Sequence, residues 1–248
     1  MHLHWLLASV KGIPVLMYHR VMHGVSDGLT ITPRALKEQW QYLKSNGYNS
    51  LSLSDFLHCT KTGKYPEKSV LITFDDGYVN NLLYVYPLLI ELNWQATFFI
   101  IADNVDGTAK KNLLPLTAMM DVSQLRALDP NVVQLAMHGY NHENFSELSF
   151  DEIKNVVQKS ILAFENSGLQ YHKTIAYPYG SRPHDKQQFK DLKKWMREIG
   201  ITAAFRIGNQ VCRIPATDIY ELKRIDIKGT DTLKEFKIKL RKGKLKPF

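Results

Sequence analysis

The sequence predicts an α/β fold: a distorted barrel of about seven parallel strands ringed by helices. Short apolar runs rich in β-branched and aromatic residues alternate with amphipathic helical patterns along the 248 residues. No long linker, internal repeat or low-complexity block interrupts the alternation, so a single domain is expected over residues 1–248. The composition, 44% apolar and 23% charged, is that of a globular chain and excludes disorder for its bulk. A doubly wound open sheet is the second architecture of the class. Its nucleotide-binding form is weakened because no Gly-rich phosphate loop follows any strand.

Element by element, Ile13 to Tyr18 (IPVLMY) reads as a buried strand. Thr32-Pro33 opens a helix, with Thr as cap and Pro in the first turn; Leu36, Trp40 and Leu43 share one face and Gly47 stops it. Ser69 to Phe74 (SVLITF) is the next strand. Asn80 to Leu92 is helical in pattern, with Pro87 kinking or interrupting it. Ala96 to Ile101 is a strand, Asp103 to Thr117 a loop, Met120 to Leu128 a short helix and Val132 to Met137 a strand. Ser149 and Glu152 form a capping box before a helix that buries Ile153, Val157, Ile161 and Phe164 and ends at Gly168. A short strand over Thr174 to Tyr177 follows, then a helix marked by Phe189, Leu192, Met196 and Ile199. Strands over Ile201 to Phe205 and Tyr220 to Ile225 and a last helix from near Asp231 complete the series.

Two cysteines, Cys59 and Cys212, cannot build a disulfide scaffold or a Cys-rich metal site. No apolar run approaches the roughly 18 to 20 residues of a membrane span. Met1 to Val10 has no Lys or Arg ahead of its short apolar stretch, so it reads as part of the domain or a frayed end, not a secretory signal. The compartment, cytoplasm or envelope, stays open. The formal charge is +8, yet Lys234 to Phe248 alone holds seven basic residues and one acidic residue. The excess is therefore expected in a solvated basic tail at 234–248, at most a weak contact for an anionic membrane surface. No nucleic-acid motif accompanies it, and no nucleic-acid partner is expected.

Polar clusters fall at the C-terminal ends of predicted strands, the edge on which α/β sheets build sites. Thr73-Phe-Asp75-Asp76-Gly77 follows SVLI. On a regular strand its two carboxylates would face opposite ways, but Gly77 permits a sharp turn that brings both to one cavity. One could then hold a metal and the other act as base; a solvated turn is the plainer alternative. His138 and His142 follow VVQLAM, and two His four apart can converge on one metal. Tyr177-Pro-Tyr179-Gly180 is a turn that can present a backbone N–H. His19 ends the first strand, as a core histidine or a general acid. Arg20 and Arg224 could each orient a carboxylate by bidentate contact, or form exposed ion pairs.

These clusters, in this order, resemble the polysaccharide deacetylases of carbohydrate esterase family 4. Thr73 to Gly77 matches that family's TFDDG motif letter for letter, His138 to His142 is similar to its H-x-x-x-H motif, and Tyr177 to Gly180 resembles its third motif, which usually ends in Pro-Tyr-Gly. The likeness runs from Val15 to Ile225 and is strongest to the group that includes the biofilm poly-N-acetylglucosamine deacetylases, which also carry a Tyr-His near the start. The resemblance implies a distorted (β/α) barrel and metal-dependent hydrolytic de-N-acetylation of an N-acetylated sugar or polysaccharide, releasing acetate. It implies Asp76, His138 and His142 as ligands of a divalent metal, commonly zinc, with nickel or cobalt also found. Asp75 would be the general base, the Tyr179 N–H an oxyanion donor and His19 the general acid. The chain departs from the family at Ala176, where the third motif usually begins with Arg. Arg20 or Arg224 would have to stand in, and the rival reading is a catalytically impaired glycan-binding module of the same fold.

Overall fold

The computed structural model describes residues 11–108 and 117–245. Seven parallel strands close into a barrel in the order β1 (Val15–Tyr18), β10 (Leu222–Asp226), β9 (Ala203–Ile207), β8 (Tyr171–Ala176), β7 (Val133–Met137), β6 (Ala96–Ile100) and β5 (Ser69–Asp76), which returns to β1. The closing register pairs Val15 with Leu71 and Tyr18 with Phe74. Strand β4 (Asn49–Ser50) pairs with the foot of β5, Asn49 opposite Ser69. Strands β2 (Arg20–Val21) and β3 (Thr30–Ile31) form a separate two-stranded sheet above β1.

Helices α1 (Pro33–Ser45), α2 (Leu53–Thr62), α3 (Tyr86–Leu92), α4 (Asp103–Asp106), α5 (Val122–Arg126), α6 (Phe150–Ser167), α7 (Lys186–Glu198) and α8 (Leu233–Lys242) make up the rest of the framework. Helix α1 starts as its sequence dictates: Thr32 accepts from the Ala35 N–H, Pro33 needs no partner for its nitrogen, and Leu36, Trp40 and Leu43 are buried. The capping box of α6 forms at Ser149 and Glu152, and Gly168 ends the helix in a left-handed conformation.

The strands sort their side chains with period two into two cores. One alternation faces the helices: Leu16, Tyr18, Val70, Ile72, Phe74, Phe98 and Ile100 share a cluster with Trp40, Leu43 and Trp94. The other faces the barrel interior: Val15, Leu71, Phe99, Ala136, Ala176, Phe205 and Leu222, closed from below by Leu53, Phe56 and Leu57 of α2. Burial on both faces explains why these strands read as continuous apolar runs.

Several elements differ from the sequence reading. Helix α2 is absent from that reading, although Ser52 caps it and Gly63 ends it. The Asn80 to Leu92 pattern splits into a π-turn over Asn81–Val85 and helix α3, with Pro87 in the first turn of α3, where its missing N–H costs nothing. Asp103–Asp106 forms one helical turn in the segment expected as loop, of which 109–116 lie outside the described residues. Strand β8 begins three residues before Thr174. The basic stretch expected as a solvated tail is helix α8 through Lys242: Thr232 and Glu235 form its capping box, and Phe236, Lys239 and Leu240 are buried. Its apolar face packs on α1, with the Phe236 and Tyr42 rings 6.5 Å apart. Residues 246–248 and the N-terminal segment 1–10 lie outside the described residues. None of the helices among the described residues is long and apolar enough to cross a membrane.

Candidate active site

The inward alternation of β5 runs Leu71, Thr73, Asp75 and that of β10 runs Leu222, Arg224, Asp226, so the apolar floor gives way to charge toward the strand C-termini. Arg224 and Asp75 meet there as a two-pronged pair: Nη1 donates to Oδ1 at 2.6 Å and Nη2 to Oδ2 at 2.7 Å. The guanidinium lies 5.3 Å from the centroid of the Phe99 ring. Both side chains are almost wholly buried. Burial alone would raise the Asp75 carboxyl; the Arg224 guanidinium, helped by His138 and His19, outweighs it and holds the group well below the usual carboxylate range.

Asp76 bends the chain. Its φ is +74° and that of Gly77 is +91°, two successive left-handed residues that swing the second carboxylate to the mouth beside the first. A Cβ at Gly77 would also meet Ile100 Cδ1 at 2.9 Å. Asp76 Oδ1 lies 3.4 Å from His138 Nε2 and 3.5 Å from His142 Nε2. His138 Nδ1 lies 2.8 Å from the Ala176 carbonyl oxygen, which can only accept. The ring therefore carries its proton on Nδ1 and presents the Nε2 lone pair to the site. Burial lowers the His138 pKa, against the opposing pull of Asp75 and Asp76, and so favours the neutral ring. The turn between the two histidines is held by Glu143, whose Oε2 accepts from the N–H groups of Tyr140 at 3.0 Å and Asn141 at 2.9 Å.

The three donor atoms of Asp76, His138 and His142 all lie within 4.8 Å of one another. Asp76 Oδ1 is buried and accepts no hydrogen bond from the described residues. A buried carboxylate oxygen facing two imidazole nitrogens is costly without a cation. Two imidazoles and a carboxylate suit a zinc-like ion that keeps a further position open. The donor set therefore fits a divalent metal.

Around this centre, His19 Nε2 lies 4.0 Å from Asp75 Oδ2, so the ring faces the site. Tyr179 sits on the turn after β8 with φ +58° and a largely exposed ring, 4.5 Å from that of His142. Of the two arginines weighed as partners of Asp75, Arg224 makes the contact and Arg20 does not. Arg20 lies 3.7 Å from Asp27 and 5.7 Å over the Tyr78 ring, because β2 turns it out of the barrel interior. Ala176 contributes only a methyl to the interior, and the guanidinium arrives from β10 instead.

Sequence reasoning missed three further residues. Tyr78 faces Asp76, and burial first and then that carboxylate raise its pKa. Asp226, at the end of β10, is raised by burial, against the favourable charges of Lys239 and His19. Lys239 of α8 donates to the Asp226 carbonyl at 2.8 Å and to Asp231 Oδ2 at 2.5 Å. Period-two alternation in Leu222-Lys-Arg224-Ile-Asp226 was the available signal for Asp226; a contact reaching back from a later helix leaves none.

The polysaccharide deacetylase family model matches residues 62–203, more than half of the chain. That stretch includes Asp75, Asp76, His138, His142 and Tyr179 and leaves out His19 and Arg224. A poly-β-1,6-N-acetyl-D-glucosamine N-deacetylase of Staphylococcus aureus (strain MRSA252) is 29% identical over 168 residues, 63% of this chain and 56% of the relative. The enzyme of that name from Escherichia coli (strain K12) is 30% identical over 141 residues, 53% of this chain and 21% of the relative. The chain thus spans less than two thirds of the length of these relatives. Among solved structures, the Streptococcus pyogenes deacetylase PplD in complex with acetate superposes with a TM-score of 0.77 at 20% identity, covering 94% of this chain and 99% of that one. The fold is therefore shared with PplD. By the extent of the family match, the chain belongs to the polysaccharide deacetylase family.

Proposed function

We propose that the protein is a metal-dependent hydrolase that removes the acetyl group from an N-acetylated sugar, the class of substrate being an N-acetylglucosamine oligomer or polymer. The observation that carries this reading is the pairing of a three-donor metal set with a separate ionised carboxylate, Asp75, 3.7 Å from the ligand His138. The names of the S. aureus and E. coli relatives support the substrate class.

Asp76, His138 and His142 would hold the metal, with zinc the best match to the donors and nickel or cobalt compatible with them. When bound, such an ion polarises the acetamide carbonyl and makes water a stronger acid. Asp75, kept ionised by Arg224, accepts the proton of the attacking water. Its position matters more than its basicity, since the same guanidinium that orients it lowers its proton affinity. The Tyr179 N–H, presented on a left-handed turn, donates to the developing oxyanion. His19 gives its proton to the sugar nitrogen as the C–N bond breaks, and acetate and the free amine result.

Arg224 supports activity over the impaired-module reading, because it supplies the guanidinium missing at Ala176. Asp75→Asn is expected to keep stoichiometric metal in elemental analysis and lose roughly 10² to 10⁴-fold in turnover on N-acetylglucosamine oligomers, read by product mass. Full turnover in Asp75→Asn would remove Asp75 as the base. Wild-type protein that binds the oligomers and leaves them acetylated would establish the impaired module instead.

A further inference from the structure

Outside the catalytic mouth, one surface concentrates charge in a way the site does not use. Helix α7 carries five basic residues against two acidic ones, and its basic side chains recur at Lys186, Lys190, Lys193, Lys194 and Arg197, the spacing of a single helical face. Opposite this face runs the segment from Ala216 to Tyr220, and between them lies a groove of about 600 Å³ lined by Lys190, Lys193, Lys194, Arg197 and Asp218. Asp218 is already engaged by Lys193 at 2.7 Å. Among the described residues, the ion pair of Lys194 is with Glu198, at 4.0 Å between two exposed side chains, a contact worth little in water. Arg197 lies 5.9 Å over the Tyr220 ring, which holds it along the groove. The groove therefore has one acid, already paired, against four cations.

Topology places the groove away from the catalytic mouth. Arg197 is near the end of α7, just before β9 begins, and Tyr220 lies two residues before β10, its hydroxyl donating to Ile201 O at 2.9 Å. All these landmarks belong to the N-terminal ends of the strands, whereas Asp75, His138 and Tyr179 sit at the C-terminal ends.

We propose that this groove is a docking surface for a linear acidic polysaccharide, a sugar polymer carrying a carboxylate or phosphate along its repeat. Three features select that partner. Lys190 to Arg197 spans seven residues, about 10 Å of helix, so several charges along an extended chain can be met at once. The groove is concave and none of the large exposed apolar side chains lines it, which leaves nothing to insert into a bilayer. The ring at its edge, Tyr220, is buried and cannot stack on a base, which disfavours a nucleic acid. Docking there leaves the mouth at the opposite end of the barrel uncovered. This inference does not depend on the catalytic reading.

The test uses the full chain and sodium polygalacturonate as probe, with dextran, single-stranded DNA and phosphatidylglycerol vesicles alongside, titrated at two salt concentrations. Polygalacturonate is expected to bind, more weakly at high salt, and dextran not to bind. Replacing Lys190, Lys194 and Arg197 together by Glu should weaken binding at least tenfold. The same three positions changed to Gln should weaken it less, with unchanged thermal melting showing that either variant is folded. Turnover of short neutral oligomers should be unaffected in both. The proposal is overturned if polygalacturonate does not bind, if the Glu variant binds as well as wild type, or if DNA or the vesicles bind more tightly than polygalacturonate and lose that binding in the same variant.

Discussion

Replacing Arg224 by Met tests whether the charge pair inside the barrel is the element on which the site rests. Arg224 and Asp75 are joined by bonds of 2.6 and 2.7 Å, with both side chains at most 2% exposed. At an effective dielectric of about 20, unit charges about 4 Å apart attract by about 4 kcal/mol. Removing one partner of a buried pair typically costs about 3–5 kcal/mol, because the other charge is left without compensation. The two routes agree on about 4 kcal/mol, a large fraction of the roughly 5–15 kcal/mol that holds a domain together. Urea unfolding at pH 7 with a chelator present isolates this term from metal binding. The midpoint should fall with little change in slope.

The pH dependence has a definite sign. In the wild type the Asp75 carboxyl is depressed, so its stabilisation is present above the unfolded carboxylate value and is lost as pH falls toward the folded one. Without Arg224, burial dominates and raises the same carboxyl, so Arg224→Met should regain stability on acidification. The gap between the two proteins should narrow from pH 7 toward about pH 4. Asp75→Asn combined with Arg224→Met should cost less than the sum of the single changes. A loss under about 1 kcal/mol in Arg224→Met, or strict additivity in the double variant, would refute the reasoning.

Two more outcomes follow from groups around the rim. Burial first, and then Asp106 and Glu143, push Asp103 up to about 6. The native state then binds the proton more tightly than the unfolded chain, so this group costs stability as pH rises from about 4 through 6. Because Asp103 is partly exposed, the effect is discounted to about 1 kcal/mol, and Asp103→Asn should melt higher than wild type at pH 8 and equally at pH 4. Lys239→Met leaves the buried Asp231 carboxylate without its cation, keeping only the Lys228 N–H, which should cost about 3 kcal/mol and lower Tm by about 6–12 °C. Adding Asp231→Asn should recover part of that loss in the same melting experiment.

The sequence made the barrel legible because parallel strands buried on both faces leave uninterrupted runs such as SVLITF and ATFFII, and because Ser149, Glu152 and Gly168 mark helix ends by local hydrogen-bond chemistry. Local signals also carried the grouping of Asp76, His138 and His142, since the two histidines share one turn and Asp76 needs only Gly77 to bend. What failed was whatever depends on the chain returning to itself. Arg20 and Arg224 were equal candidates for Asp75 in sequence, 55 and 149 residues away, and only closure of β10 against β1 decides between them. The charge of the C-terminal stretch suggested solvent, yet Phe236 and Leu240 fall on one face of α8 and bury it against α1. Lys239 goes with that face, its ammonium spent on a carbonyl and Asp231.

The floor of the barrel has a consequence for traffic. Phe56 of α2 lies 5.7 Å from Phe205, which lies 5.5 Å from Phe99, and Arg224 rests on Phe99. These tilted, closely packed rings close the barrel interior from below. Solvent reaches Asp75 and the histidines by one entrance, at the strand C-termini, whose rim carries His142 and Tyr179. In the proposed reaction, acetate and the amine would have to leave by the same opening that admits the acetylated sugar, so their order of departure would be set there.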